Sequence, residues 1–251
     1  MRRGLGGIAA VLLTPATAMA AGGHEVFSWF NLLGIHVPQY MLSAIMIAVL
    51  LVALSLLTFR GKKTDEMVLP EPRFTLRNLL EMILSFLVGI AEDILGHHAK
   101  KYMPLLATCF LFILFMNLLG LIPGFVPPTD QMNITVGLAV VIFLSTHYYG
   151  VREHGVAYFK HFLGPVWWLA PIMLPIEIVS HLARPLSLSL RLFGNITGDH
   201  LVVGIFLGLA PFVVPSIFYG LGVFVSFMQA FIFTVLSMIY IAGAVAHEEE
   251  H

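Results

Sequence analysis

Charged and titratable side chains interrupt an apolar stretch of the chain between residues 175 and 200. They are Glu177, His181, Arg184, Arg191, Asp199 and His200. On a helix that turns about 100° per residue, most polar or small side chains of this stretch fall within about 40° of Arg191. We call them the polar stripe: Glu177, Ser180, Arg184, Ser187, Arg191, Asn195 and Gly198. At membrane depth such a stripe must face water, a partner helix or an ion.

Arg191 is the residue of the stripe whose charge is hardest to place in an apolar environment, because a guanidinium keeps its proton. Glu177 lies about 21 Å away along the helix axis. Asn195, one turn further on, is neutral. A structural ion pair with Glu177 or Asp199 is one interpretation. The spacing favours another, in which the acid that pairs with Arg191 comes from a different helix or chain.

Near the start of this stretch, three residues have both a functional and a structural interpretation. Arg184 is placed to extend its charge to the membrane surface. Glu177 is placed to pair with Arg184 through water. His181 points about 80° away from the Arg191 direction and is either hydrated there or part of the function.

Asp199 and His200 lie toward the outer end of the same segment. A carboxylate beside an imidazole can pass protons near neutral pH. A solvated pair at a helix end is the alternative. Because residues 201–209 are again apolar, we favour the proton relay.

The last apolar segment contains one side-chain amide, Gln229. Gly222 and Tyr240 point within about 20° of the same direction on a helix. An amide at membrane depth either bonds to a neighbouring helix or belongs to a functional site. Both interpretations of Gln229 remain open at this stage.

The composition is that of a polytopic membrane protein. Of 251 residues, 59% are hydrophobic and 11% are charged, and the mean hydropathy is +0.92. Soluble domains are about 45–50% apolar and about 25% charged. A net charge of −1 gives no field that would attract nucleic acid. The single cysteine, Cys109, lies in an apolar run and excludes a disulfide or a cysteine-rich metal site within this sequence.

Apolar runs and turn signals divide the chain into a leader and a single membrane domain, residues 24–251. We predict an all-α protein with five membrane-crossing helices and one amphipathic interfacial helix, the last two crossings being long, tilted and paired as a hairpin. In order, the segments are a signal peptide or leader (1–23), a first span (41–59), the amphipathic helix (75–98), second and third spans (103–121 and 134–150), two long helices (166–209 and 213–246) and a charged tail (247–251).

Lysine and arginine placement predicts the orientation. After the leader, these residues fall in the segments between the first and second spans and between the third and fourth, apart from Arg184 and Arg191. This pattern places the N-terminus in the periplasm and the C-terminal tail in the cytoplasm. We find no internal repeat, which argues against a transporter built from repeated halves. Residues 247–251 match H-E-x-x-H only formally, and we expect no catalytic residue, metal site or cofactor.

Several motifs resemble subunit a of the membrane sector of bacterial F-type ATP synthases. The most specific is Pro-Leu-Ser-Leu-Ser-Leu-Arg-Leu-Phe-Gly-Asn, which ends at Asn195; the others are Gln-Ala-Phe-Ile-Phe from Gln229, Phe-Met-Asn-Leu-Leu-Gly-Leu-Ile-Pro around Asn117, and residues 128–135. The resemblance covers residues 75–246.

The resemblance implies a subunit that is not an enzyme itself and lies in the bacterial inner membrane. It would supply two aqueous half-channels and couple proton flow to ATP synthesis. Its expected partners are the ring of c subunits, the b subunits of the peripheral stalk, other ATP synthase subunits and the lipid bilayer. The transported ion is H⁺ or Na⁺, since ion selection would rest on the ring.

Individual residues match the family's functional positions. Arg191 matches the essential arginine that meets the ionised carboxylate of the ring, and Asn195 and Gln229 match polar residues beside it. Glu177 and Ser180 match the cytoplasmic exit, whereas His181 has no counterpart that we carry over. Arg184, Asn117 and Tyr240 are expected to support the site.

The inlet departs from the family's pattern. Asp199 and His200 stand where many members carry Gly or Asp and Glu or His, respectively. Gly222 stands where many members carry His or another ionisable group. The resemblance therefore implies an inlet whose titratable groups are gathered on one helix.

Two other functions compete with this one. An ion-coupled secondary transporter would use Arg191 to bind an anionic substrate, and would be expected to contain repeats. An intramembrane hydrolase would require a Ser/His or metal constellation, and no convincing one is present in the sequence.

Overall fold

A computed structural model of the chain describes residues 38–59, 76–122, 124–155, 158, 170–209 and 213–245. The predicted leader, the linker after the first span and the charged tail lie outside these residues. The described residues form six α-helices: α1 Gln39–Phe59, α2 Leu76–Leu95, α3 Ala99–Leu119, α4 Met132–His154, α5 Ala170–Leu209 and α6 Val213–Val245. Short 3₁₀ turns, Gly96–His98 and Pro128–Asp130, precede α3 and α4.

Four of the helices are long and apolar enough to cross a membrane, counting only the described residues. They are Gln39–Thr58, Ala99–Leu119, Met132–His154 and Ile217–Val245. The prediction of a polytopic, all-helical protein is confirmed at this level. Helix α5 is not among the four, and its membrane crossing stays a prediction. Acidic and basic side chains along α5 lower its hydropathy, as expected of a helix that carries a polar stripe.

Helix α6 lies at the centre of the bundle and contacts α2, α3, α4 and α5. Its buried side chains include Ala230, Phe233, Met238 and Ile241, which join the core residues of α3. Helix α1 contacts α3 and leaves most of its apolar surface exposed, including Leu57 at 81%. An exposed apolar surface of this kind suits a lipid environment, in which exposure carries no hydrophobic cost.

Helices α3, α4, α5 and α6 contain the contacts that position the polar stripe. Lys101 near the start of α3 pairs with Glu153 near the end of α4 at 2.5 Å, so these two helices run antiparallel. Helices α5 and α6 also run antiparallel. Phe206 near the end of α5 stacks on Phe218 near the start of α6, and the earlier Arg184 lies over the later Tyr240. Helix α5 continues through Pro175 and Pro185, so neither proline ends it.

The amphipathic helix α2 packs through one side of its apolar face, where Leu87 is fully buried and Ile83 packs against the core. Leu79, on the same apolar face, is 39% exposed, whereas Arg77 is 4% exposed and pairs with Glu81 at 2.5 Å. Leu87 and Ala91 are fully buried, so the contact face is rotated toward Arg77. In a membrane the apolar face of a helix can face lipid without a hydrophobic cost. Which face packs against the protein then depends on how well the side chains fit together.

Candidate functional site

The polar stripe of α5 lies at the edge of the helix–helix contacts. Every residue of the stripe is exposed or half-buried, whereas Leu188, Leu192 and Ile196 on the adjacent face are buried against neighbouring helices. On the other side of the stripe, Leu186 and Leu190 are 53% and 47% exposed. The stripe therefore separates the packed face of α5 from an exposed apolar face.

Arg191 is half-buried on this edge. It makes no hydrogen bond or ion pair with any other residue that the structure describes. The alternative of an ion pair with Glu177 or Asp199 therefore finds no support in the structure. An arginine at the centre of a membrane helix costs about 2.5–3.5 kcal/mol by insertion measurements, so an external acid would stabilise it substantially.

Asn195 and Gln229 join α5 to α6 close to Arg191. The side-chain amide of Asn195 donates a 2.6 Å hydrogen bond to Oε1 of Gln229. Gln229 is 1% exposed, and its Nε2 has no partner among the described residues. Asn195 itself is exposed, so this bond connects the surface of α5 with the interior of the bundle.

A second buried side-chain amide, on α3, contacts α6 about one turn before Gln229. Asn117 is 2% exposed and donates a 3.4 Å hydrogen bond from Nδ2 to the backbone oxygen of Ser226 on α6. Its Oδ1 has no partner within the described part of the chain. Ser226 precedes Gln229 by about one turn. The expected supporting residue Asn117 thus holds α3 against the segment of α6 that carries Gln229.

Glu177 and His181 form a pair near the start of α5. Nδ1 of His181 lies 3.3 Å from Oε1 of Glu177 and 3.0 Å from the Glu177 backbone oxygen. Glu177 therefore contacts His181 directly, and its pairing with Arg184 through water stays a prediction. The Arg184 guanidinium lies 5.4 Å from the centre of the Tyr240 ring on α6, a cation–π distance. Ser180 is exposed and lies outside this pair.

His147 and Tyr158 extend this pair onto α4 and the turn that follows it. The His147 ring stacks on the His181 ring with 5.5 Å between centroids and 17° between planes. Nδ1 of His147 lies 2.7 Å from the hydroxyl of Tyr158. Sequence reasoning missed both residues. The available signal was an ionisable side chain, His147, inside a predicted span.

A small cavity lies between α4, α5 and α6 beside these rings. It is lined by Ala139, Ile142, Phe143, Thr146, His147, His181, Arg184, Pro185, Leu188 and Tyr240. Leu188 precedes Arg191 by about one turn of α5. The cavity therefore borders both the histidine pair and the turn of α5 before Arg191.

Asp199 and His200 lie half-buried toward the other end of α5. The neighbouring Thr197 donates a 2.6 Å hydrogen bond to Oδ1 of Asp130, in the turn before α4. His200 packs against α3, since a Cβ added to Gly120 would lie 3.1 Å from its Nε2. Asp130 brings a carboxylate to this end of the helix that the sequence did not lead us to expect.

Gly222 is buried beneath Leu121. A Cβ at this position would lie 2.7 Å from Cδ2 of Leu121. Where the resemblance leads one to expect an ionisable side chain on α6, the space is therefore filled by an apolar side chain from the end of α3. Within the described residues, no group of three or more His, Cys, Asp or Glu side chains is placed to hold a metal ion.

Comparisons with known proteins agree on one family. A family model described as ATP synthase A chain matches residues 41–242. ATP synthase subunit a 1 of Syntrophotalea carbinolica is 55% identical over 176 residues, which are 70% of this chain and 74% of that protein. ATP synthase subunit a of Geobacter sulfurreducens is 53% identical over 176 residues, 70% of this chain and 76% of that protein. For ATP synthase subunit a of Trichlorobacter lovleyi, the identity is 48% over 205 residues, 82% of this chain and 85% of that protein. These matches confirm the resemblance, and the chain belongs to the ATP synthase A chain family.

Proposed function

We propose that this chain is the stator proton-channel subunit of a bacterial F-type ATP synthase, with Arg191 facing the rotating ring of c subunits. The observation that carries the proposal is the half-buried Arg191, which has no acidic partner among the described residues and borders the exposed apolar face of α5. A carboxylate on a neighbouring helix of the ring would supply the missing partner.

A fixed positive charge in this place serves two purposes. It opposes the direct passage of protons between two aqueous half-channels. It also attracts the ionised carboxylate of the ring and so favours release of the proton that the carboxylate carries. The driving force is about 2.3 kcal/mol for each charge that crosses 100 mV. The chain itself performs no covalent chemistry in this scheme.

The two half-channels are assigned to the two ends of α5. Glu177, Ser180 and His181 would line the cytoplasmic one, and Asp199 and His200 the periplasmic one. Supporting this division, the Glu177–His181 pair and the half-buried Asp199 and His200 lie on opposite sides of Arg191 along the helix. Asn195 and Gln229 would fix α5 against α6 beside the arginine, as their hydrogen bond suggests.

The proposed topology has five crossings, with α5 and α6 as a tilted hairpin, a periplasmic N-terminus and a cytoplasmic tail. Charge placement supports it. The b subunits of the peripheral stalk and the ring are the expected partners. Reporter fusions at the tail test the topology, and a tail that reports a periplasmic location would exclude it.

Disulfide cross-linking tests which face meets the ring. Leu190→Cys places a thiol on the exposed apolar face of α5 next to Arg191. With a cysteine beside the carboxylate of the ring subunit, this variant should form a cross-link, since a disulfide requires Cα atoms about 4.4–6.8 Å apart. Leu192→Cys, on the buried face, and Leu57→Cys, on the exposed surface of α1, should not. Equal cross-linking from Leu57→Cys and Leu190→Cys would contradict the assignment. Cys109 is buried and does not compete.

A further inference from the structure

Four titratable side chains form a continuous series at the junction of α4 and α5. Tyr158 contacts His147 at 2.7 Å, His147 stacks on His181 at 5.5 Å, and His181 contacts Glu177 at 3.3 Å. We call these four residues the histidine cluster. Glu177 and His181 are neighbours one turn apart on α5, whereas the contact between His147 and His181 joins two helices.

Packing fixes the outermost member of the cluster. Tyr158 is 7% exposed, and its ring lies against Gly150, where an added Cβ would overlap the ring. Glycine at position 150 therefore allows the phenol to reach His147. His181 is 8% exposed and His147 is half-buried. Glu177, with 28% of its side chain exposed, also opens partly to the surroundings.

The charges around the two imidazoles limit how many protons they hold. Two imidazolium rings at 5.5 Å repel each other, and the Arg184 guanidinium lining the same cavity opposes a second positive charge. The Glu177 carboxylate attracts one. Tyr158 after α4 and Tyr240 on α6 also face the cluster or its cavity. The pair is therefore suited to hold one proton at a time.

The cavity is bordered both by the cluster and by the turn of α5 that precedes Arg191. His147 and His181 line one part of it, and Leu188, about one turn before Arg191, lines another. Arg184 and Tyr240 close its side toward α6.

From this geometry we propose that the histidine cluster is the proton-exchanging group of the cytoplasmic half-channel, with His147 and Tyr158 as working members beside Glu177 and His181. The inference rests on the proposed function and deepens it. One imidazole nitrogen takes up a proton from cytoplasmic water and releases it toward the cavity, or the reverse during synthesis. No bond other than N–H and O–H forms or breaks. Tyr158 acts as a positioning residue that orients the His147 ring.

The test uses the complete ATP synthase in inverted vesicles, whose outer face is the cytoplasmic one, so the buffer sets the cytoplasmic pH. ATP-driven proton pumping is measured from acid to alkaline pH in His147→Gln, His181→Gln and the double variant. Glutamine keeps hydrogen-bonding groups but does not titrate. His98→Gln, on the exposed turn before α3, is the matched control.

At alkaline pH, where free protons are scarce, the double variant should pump about tenfold more slowly than the unmodified enzyme. This loss is smaller than the roughly 10²–10⁴-fold rate increase that a proton-transferring side chain contributes to a chemical step. The difference arises because water remains as a second proton donor. At acid pH the rate should approach that of the unmodified enzyme. Free imidazole in the buffer should restore the alkaline rate. Tyr158→Phe should show the same pH dependence in weaker form, and His98→Gln none.

An assembled double variant with an unchanged pH profile would overturn the proposal. So would a loss that is equal at all pH values and insensitive to imidazole, because that pattern indicates a purely structural role. If the double variant fails to assemble, the single variants and Tyr158→Phe are judged by the pH profile of pumping and by its response to imidazole. Failure of the proposed function itself is distinguishable, since it would appear as normal pumping in Arg191→Ala.

Discussion

The side-chain amide of Asn195 donates a 2.6 Å hydrogen bond to the amide oxygen of Gln229, which joins α5 to α6 about one turn from Arg191. The bond leaves the buried Nε2 of Gln229 without a partner among the described residues. A buried polar group that is left unpaired is costly.

The Asn195–Gln229 bond should contribute a measurable coupling energy. In a double-mutant cycle of Asn195→Ala and Gln229→Ala, we expect about 0.6 kcal/mol, and at most about 1.7 kcal/mol, as for other hydrogen bonds between membrane helices. The measurement is the free energy of unfolding in mixed micelles. A parallel cycle that pairs Ser180→Ala, an exposed stripe residue, with Gln229→Ala should give no coupling. Strict additivity in the first cycle would show that the bond is not formed in the membrane.

The Leu121 side chain should limit the size of the side chain that position 222 can accommodate. Gly222→Ala adds a methyl group 2.7 Å from Leu121 Cδ2, and overpacking of this kind costs about 1–3 kcal/mol. The flexible leucine side chain can yield, so we expect the lower end of that range. Leu121→Ala in the same chain should remove most of the cost.

Gly220→Ala is the matched control on α6, because nothing lies within 4 Å of an added Cβ there. The unfolding free energy in detergent is again the readout. A Gly222→Ala variant as stable as Gly220→Ala would mean that the two helices are further apart than the structure shows.

Asp199 and His200 should shape proton uptake from the periplasmic side. Both are half-buried at the end of α5 that meets Asp130, and Gly222 offers no ionisable substitute on α6. Asp199→Asn and His200→Ala should each slow ATP synthesis and change its dependence on periplasmic pH, while pumping at saturating proton supply is affected less. Asp93→Asn, an exposed carboxylate on α2, is the control. Unchanged rates and pH profiles in both variants would remove these residues from the proton path.

Apolar runs predicted a polytopic, all-helical protein, which the helices of the described residues confirm. The five crossings and the hairpin of the last two stay predictions. Contacts between distant segments were harder to predict. His147 lies in an apolar run of the sequence. Only the packing of α4 beside α5 brings its ring within 5.5 Å of the His181 ring. Sequence spacing carries no information about such a contact.

The packing face of α2 illustrates a second limit. In a soluble protein, the apolar face of a helix indicates its packing face, because apolar surface avoids water. Lipid removes that driving force. On α2, Arg77 is buried although it lies off the apolar face, and Leu79 is exposed although it lies on that face. Similarly, the resemblance identified Gly222 as a departure from the family's pattern, but the contact that Leu121 makes there is visible only in the structure.

The most direct test of the proposed function is proton pumping and passive proton leak in inverted vesicles that contain Arg191→Ala. We predict that ATP-driven pumping falls to background while the complex remains assembled, and that passive leak increases because the barrier between the half-channels is lost. Arg191→Lys should fail as well, since a desolvated lysine can give up its charge and lacks the planar guanidinium. Arg152→Ala, an exposed arginine at the end of α4, should pump normally. An assembled Arg191→Ala enzyme that pumps near the unmodified rate would contradict the account.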